Sequence, residues 1–351
     1  MSSELNYDIY TIRDVCDWLI NNKPNGLSEY CIAPTRAYAL VNNPCAKDND
    51  PAIVVTYDAD RPIGYSAVFA DEYVFGNTLG RLHWGTTEWI EPKYRGKGIA
   101  GKMMRTLKEA VGENKYIGLD SSIASVKLDQ KQGASIVYYD RTRFVLNAHD
   151  SFKGRIMSKY VHCSNSKVLK RLANADYQNR YVNYVDESTY KFVKSHAGID
   201  VFLRQREMFN WILNYPLLLN TANDSKAMDD ICEFGSTVGN YSINAIKVYV
   251  KNELSGFYIV SQKNKVRTLR YLYFDEKFKE EVFASVTLNM IKPGIEGIQF
   301  MSAELQSFMH QRGIKHLNRK SYIDQIALTL PPGMSVDRNL HIQGGDGDMF
   351  C

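Results

Sequence analysis

A chain of 351 residues is long for one core and comfortable for two domains, and its net charge of +4 is mild. With 44% hydrophobic and 23% charged residues it reads as globular, without an apolar run long enough to span a bilayer. Interleaved acids and bases argue against a nucleic-acid partner, and six scattered cysteines with no C-x-x-C pair argue against zinc or a disulfide framework.

The start of the chain lacks a basic stretch followed by an apolar one, so no secretory leader is expected and a reduced, cytoplasmic setting is the simplest. Residues 10–21 place Ile12, Val15, Cys16, Leu19 and Ile20 at helical spacing, and Pro24-Asn-Gly26 ends that helix. A second helix is expected over 34–42, closed by Asn43-Pro44. Residues 52–57 read as a strand, 58–62 as a turn and 63–69 as the hairpin partner. A further strand covers 81–90. A helix comes next, with Ile99, Met103, Leu107, Ala110 and Val111 on one stripe. Residues 116–120 make a short strand, 121–132 a helix stopped by Gly133, and 135–146 a last strand or hairpin.

Between the 81–90 strand and its helix lies Pro92-Lys-Tyr-Arg-Gly-Lys-Gly-Ile-Ala-Gly101. Gly96, Gly98 and Gly101 strip side chains from the backbone as it enters the helix. The first helical amides are then bare, on the positive end of the dipole, and such a turn suits a pyrophosphate. Arg95, Lys97 and Lys102 add positive charge around it. There is no G-x-G-x-x-G and no G-K-[ST] after four spacers.

The run Arg95-x-x-Gly98-x-Ala100, preceded by a strand and a proline, resembles the acetyl-CoA-binding motif [RQ]-x-x-G-x-[GA] of the GNAT superfamily of N-acetyltransferases. That resemblance implies an α/β fold, a mixed central sheet flanked by helices, and acetyl-CoA as co-substrate with no metal. It also implies that the strand end Trp89, Ile90 and Glu91 pairs with the pantetheine arm and polarises the thioester. The backbone of Arg95, Gly96, Lys97, Gly98, Ile99, Ala100 and Gly101 would hold the pyrophosphate.

The pattern partly repeats after a polar stretch expected as an irregular linker. "YALVNNP" is echoed by "NWILNYP", and "AIVVTYDADRPIGYSAVF" by "AIKVYVKNELSGFYIV". "RLHWGTTEWIEPKYRGKGIAGKMM" is answered by "RTLRYLYFDEKFKEEVFASVTLNMI", without the glycines and with Glu276, Glu280 and Glu281 where they would repel phosphate. The expected division is residues 1–148 as a coenzyme-binding GNAT domain, 149–174 as linker and 175–351 as a degenerate GNAT-like copy.

Acyl transfer from a thioester to an amine needs a base, donors to the developing oxyanion, and an acid for the departing thiolate. Along the strand Trp84, Thr86, Glu88 and Ile90 are expected to share one face. Glu88, a carboxylate within an aromatic run, is the expected base or amine ligand; Glu91 and His83 are further candidates. Many GNAT members supply the acid from a tyrosine in the helix after the fifth strand. Here Asp129 stands at that place and Ala134 replaces a phenylalanine. Tyr138 or Tyr139 could substitute, or the thiolate could leave unaided. Tyr177, Tyr181, Tyr184 and Tyr190 suit a sugar face or a domain interface equally. The glycine-aspartate tail from Gly344 lacks calcium-loop spacing and reads as a terminal strand or extension.

The function expected is an acetyl-CoA-dependent N-acyltransferase acting on the primary amine of a small molecule. Resemblance to GNAT proteins encoded with bacterial surface-polysaccharide genes implies an amino sugar. A coenzyme-binding sensor or scaffold without turnover, and a protein N-acetyltransferase, are the alternatives. Neither nucleic acid nor membrane is expected as a partner; a homodimer is compatible with the sequence.

Overall fold

The computed structural model describes residues 5–21, 32, 34–75, 78–112, 116–120, 127, 130–131, 133–148, 151–197, 203–215, 241–328 and 343–346. Its strands join one 12-stranded sheet. In the first half β1 (Leu5–Thr11), β2 (Pro51–Asp58), β3 (Arg61–Phe75) and β4 (Thr78–Ile90) are successively antiparallel. β4 then pairs in parallel with β5 (Tyr116–Asp120), and β6 (Ser135–Val145) comes last. The second half repeats this order: β7 (Gln178–Val182), β8 (Tyr241–Val250), β9 (Glu253–Lys263) and β10 (Val266–Phe274) are antiparallel. β11 (Gly297–Phe300) is parallel to β10, and β12 (Asn318–Leu328) is last.

Helices repeat too. α1 (Ile12–Asn21), α2 (Pro34–Val41) and α3 (Ile99–Val111) have counterparts in α5 (Glu187–His196), α6 (Arg206–Asn214) and α7 (Lys279–Met290). α4 (Phe152–Leu172) connects the halves, and α8 (Ala303–Gln311) lies between β11 and β12. All three sequence echoes fall on matching elements. Gly64 pairs with Ile90 just as Gly256 pairs with Phe274.

The halves exchange their last strands. The order across the middle of the sheet is β5-β12-β6-β11, so β12 pairs with β5 of the first half and β6 with β11 of the second. On one face a single core joins α1, α2, α5 and α6, with Trp18, Leu40, Phe69, Trp84, Phe209 and Trp211 buried in it. The Trp211 indole donates to the Ala39 carbonyl at 2.7 Å and fixes α6 to α2. On the other face each half has its own core: α3 covers Val54, Ile63 and Val68, while α7 and α8 cover Tyr258, Ile298 and Phe300.

Several expectations need correction. Tyr10 belongs to β1, an edge strand, and the first helix starts at Ile12. Thr11 and Asp14 form a reciprocal cap there: the Thr11 amide donates to the Asp14 carboxylate at 2.7 Å and the Asp14 amide to the Thr11 hydroxyl at 3.3 Å. The expected irregular linker holds the 21-residue helix α4. Its buried face, Ser158, Val161, Asn165, Val168 and Leu172, includes a serine and an asparagine, which obscures the apolar period. The helix expected over 121–132 lies largely outside the described residues.

Candidate active site

The site is built where β4 leaves β5. β4 pairs with β3 along its length, but with β5 only over His83, Trp84 and Gly85. Beyond them its register against β3 slips between Ser66 and Ala67, leaving Thr87 as an extra residue. Such a bulge bends a strand and re-aims the residues beyond it. Among the described residues no strand pairs with the β5-side edge of β4 past Gly85. The Glu91 amide donates to the Ile63 carbonyl at 2.9 Å, towards β3. Backbone groups alternate along a strand, so those of Ile90 and Glu88 face the open side. The Ile90 carbonyl confirms this direction: it accepts from Nε of Arg95, in the turn beyond, at 2.8 Å.

The chain then makes a single 3₁₀ turn, Pro92–Tyr94, and enters α3 through two glycines in the left-handed region, Gly96 at φ +78° and Gly98 at φ +80°. A β-carbon at either glycine would meet nothing within 4 Å. The glycines therefore serve backbone direction, and the space beside them is open. The N-cap of α3 is Gly98, which has no side chain to cap it, and no acid stands in the first turn. Gly96, Lys97 and Gly98 are exposed, whereas the Ile99 side chain is buried and offers only backbone to the turn. Aromatic rings hold the cations nearby: Lys97 Nζ lies 4.9 Å from the Tyr94 ring and Lys102 Nζ 4.3 Å from that of Tyr7. Strand edge, cations and the start of α3 thus meet at one corner. An acyl-coenzyme A fits it on two observations, the open glycine cradle and a β4 edge that no described strand joins past Gly85.

The acid and base candidates fare differently. The bulge flips the alternation, so Glu88 does not share the face of Trp84. Trp89 does instead: its ring stacks on buried Tyr65 at 5.9 Å, and Glu88 is exposed rather than set in an aromatic pocket. Ile90 packs against the core under α3. Glu91 is ion-paired with Arg61 at 3.0 Å and Lys93 at 3.2 Å. His83 is buried, with Nε2 3.9 Å from an Asp50 oxygen. Asp129 lies outside the described residues. Tyr138 lies on β6, opposite Gln325 of β12, so β12 separates it from β5.

Sequence reasoning missed that strand. β12 pairs with β5 from Gln325 to Leu328, and its preceding residues run on past the end of β5. The far wall of the first half's cleft is thereby supplied by the second half. Only long-range register reveals it, and nothing local in the sequence signals it.

The equivalent cleft in the second half is filled. β10 leaves β11 after Thr268 and has its own irregularity between Leu269 and Tyr271. The Asp275 amide donates to Ser255 at 3.0 Å, matching Glu91 on Ile63. Here, however, the Leu272 amide donates to Oε1 of Gln343 at 2.7 Å, and Arg270 donates to the Gly344 carbonyl at 3.1 Å. Of the tail, expected as a strand or extension, the described residues 343–346 form a tight turn seated against β10. Its glycines allow the approach: a β-carbon on Gly344 would lie 2.7 Å from the Leu269 oxygen, and one on Gly345 2.1 Å from the Tyr271 ring.

Asp346 then reaches Arg204 at 3.7 Å. Arg204, 1% exposed, also pairs with Asp71 at 3.2 Å, and Asp71 accepts from the Trp84 indole at 2.8 Å. Burial works against charge on the guanidinium, but the carboxyl groups of Asp71 and Asp346 outweigh it and hold the arginine charged. The four tyrosines do not form one sugar face. Tyr190 is buried in the shared core, while the Tyr181 hydroxyl accepts from Asn289 at 2.8 Å on the other side of the sheet.

Among the described residues no three His, Cys, Asp or Glu side chains gather as a metal site, and no helix is long and apolar enough to cross a membrane. Residues 12–140 match the family model of the acetyltransferase (GNAT) family. No curated protein sequence matches significantly. Among solved structures, the chain is similar to a GCN5-related N-acetyltransferase from Kribbella flavida, with TM-score 0.53, 11% identity, and 93% of this chain and 72% of that one covered. A GCN5-related N-acetyltransferase from Anabaena variabilis gives TM-score 0.51 and 11% identity over 93% and 73% of the two chains. Saccharomyces cerevisiae N-myristoyltransferase with bound myristoyl-CoA gives 0.53 and 8% over 94% and 79%. At such identities these likenesses speak to the fold.

Proposed function

We propose, starting from the membership of residues 12–140 in the GNAT family of acetyltransferases, that this acyltransferase takes its acyl group from acetyl-CoA and passes it to the primary amine of a small molecule. The observation that carries the reading is the β4 edge, joined by no described strand past Gly85, running into the exposed left-handed glycines at the start of α3. Backbone amides from Gly96 to Gly101 would hold the pyrophosphate, with Lys97 and Lys102 offsetting its charge. The outward edge of Glu88 and Ile90 would align the pantetheine arm and present an N–H to the thioester oxygen. Bound there, acetyl-CoA supplies an activated acyl group.

Glu88 is exposed, so its ordinary role would be to accept the amine's proton through water. An amino sugar is the favoured acceptor class, by the resemblance noted above. The second half serves as a wall: β12 lines the cleft, and the tail turn takes up the room a second coenzyme would need. The test is a thiol-release assay with acetyl-CoA and a panel of amines, amino sugars and peptide N-termini. Acceptor-dependent thiol release supports the enzyme. Tight coenzyme binding with no release from any acceptor would favour a sensor, and release only with peptides would move the acceptor to protein.

A further inference from the structure

Remote from the β4 corner, a cleft of about 770 Å³ opens between α4 and the turn after α7 that holds Lys292, Pro293 and Gly294. Its floor is apolar, with Val161, Leu169, Leu288 and Ile291 along it. Its charged lining residues are Arg155, Lys159, Lys170 and Lys292, with no carboxylate among them. The whole of α4, FKGRIMSKYVHCSNSKVLKRL, contains no acid. Lys292 rests on a neutral partner, its Nζ 3.3 Å from the Tyr181 hydroxyl. Arg155, Lys159 and Lys170 make no ion pair with a described residue. Ile156 and Tyr160, 52% and 58% exposed, flank Lys159 and continue the apolar surface past the rim.

Cavities of this size, largely apolar with a few charged groups, are the kind small molecules occupy. The floor selects an apolar body, because contact removes its surface from water. The rim selects an anionic head, because no carboxylate lines the cleft and no described residue neutralises Arg155, Lys159 or Lys170. We propose that this cleft is a binding site for an amphipathic anion of the long-chain carboxylate class. The alkyl chain lies on the α4–α7 floor and the head beside Arg155 and Lys159, which stand one helical turn apart on α4. The site is separate from the β4 corner and does not depend on the acyl-transfer reading.

Calorimetric titration of the full-length protein with dodecanoate, below its micelle concentration, tests this, with dodecylammonium and butyrate as charge and chain controls. One dodecanoate should bind per chain while neither control saturates. The double variant Arg155→Glu/Lys159→Glu should bind about tenfold more weakly. Leu169→Trp, which fills the floor without touching charge, should weaken binding as well; circular dichroism confirms that each variant is folded. Dodecanoate should also slow alkylation of Cys163, which is exposed and lines the cleft. Absence of saturable binding, equal binding of dodecylammonium, or wild-type affinity in the charge-reversed variant would each overturn the proposal.

Discussion

Asp346→Asn is the sharpest probe of how the tail is tied to the first half. The substitution keeps the side chain's size and an oxygen to accept from the Gln343 amide, now made at 2.9 Å, and removes only the charge facing Arg204. A unit pair at the observed 3.7 Å is worth about 4 kcal/mol at an effective dielectric of roughly 20. Asp71, at 3.2 Å, stays and still pairs the guanidinium. The expected cost is therefore about 2 kcal/mol, below the roughly 3–5 kcal/mol of leaving a buried charge wholly unpaired. In the Arg204→Met background the Asp346 change should cost nothing or stabilise, because it removes a buried charge left without its cation, so a double-mutant cycle isolates the coupling. Urea denaturation monitored by tryptophan fluorescence is the assay, since Trp84 donates to Asp71 in the same network. A loss under about 0.5 kcal/mol, or a loss undiminished in the Arg204→Met background, would refute the pairing.

Gly345→Ala should cost about 3 kcal/mol or more, because its β-carbon would sit 2.1 Å from the Tyr271 ring; Gly96→Ala, with open space around it, should cost only the left-handed strain of about 1–2 kcal/mol. Thermal unfolding separates the two, and equal losses would count against the tail's seat. For pH, burial alone would raise the Asp50 carboxyl, but hydrogen bonds from Arg81 and the Lys47 amide outweigh it and hold it below the usual carboxylate value. A depressed folded pKa gives stability that is present above the ordinary value near about 4 and lost as pH falls through the folded one. Asp50→Asn should therefore flatten the acid limb of the stability profile; an unchanged limb would contradict the assignment.

The features legible in the sequence were local. Gly96 and Gly98 announce a left-handed entry into α3, and the stripe from Ile99 to Val111 announces the helix, because both rest on neighbours a few residues apart. The hairpin of β2 and β3 and its echo in β8 and β9 were legible for the same reason. The capping pair Thr11 and Asp14 was available as a signal and would have separated β1 from α1. The face of Glu88 was not legible, since one bulged residue at Thr87 reverses the alternation that pattern reading assumes. Nor were the exchange of β6 and β12 or the seating of Gln343 on Leu272, each a contact between distant segments fixed by register and close approach.

The most direct measurement is a calorimetric titration of acetyl-CoA into the wild-type chain, Gly98→Glu and Glu280→Ala. One coenzyme per wild-type chain is expected. Gly98→Glu should lose about a hundredfold in affinity, from left-handed strain and a carboxylate facing the pyrophosphate, while Glu280→Ala should bind as the wild type does. Two coenzymes per chain, or a folded Gly98→Glu protein that binds as tightly as the parent, would contradict the assignment of the acyl donor to the corner between β4 and α3.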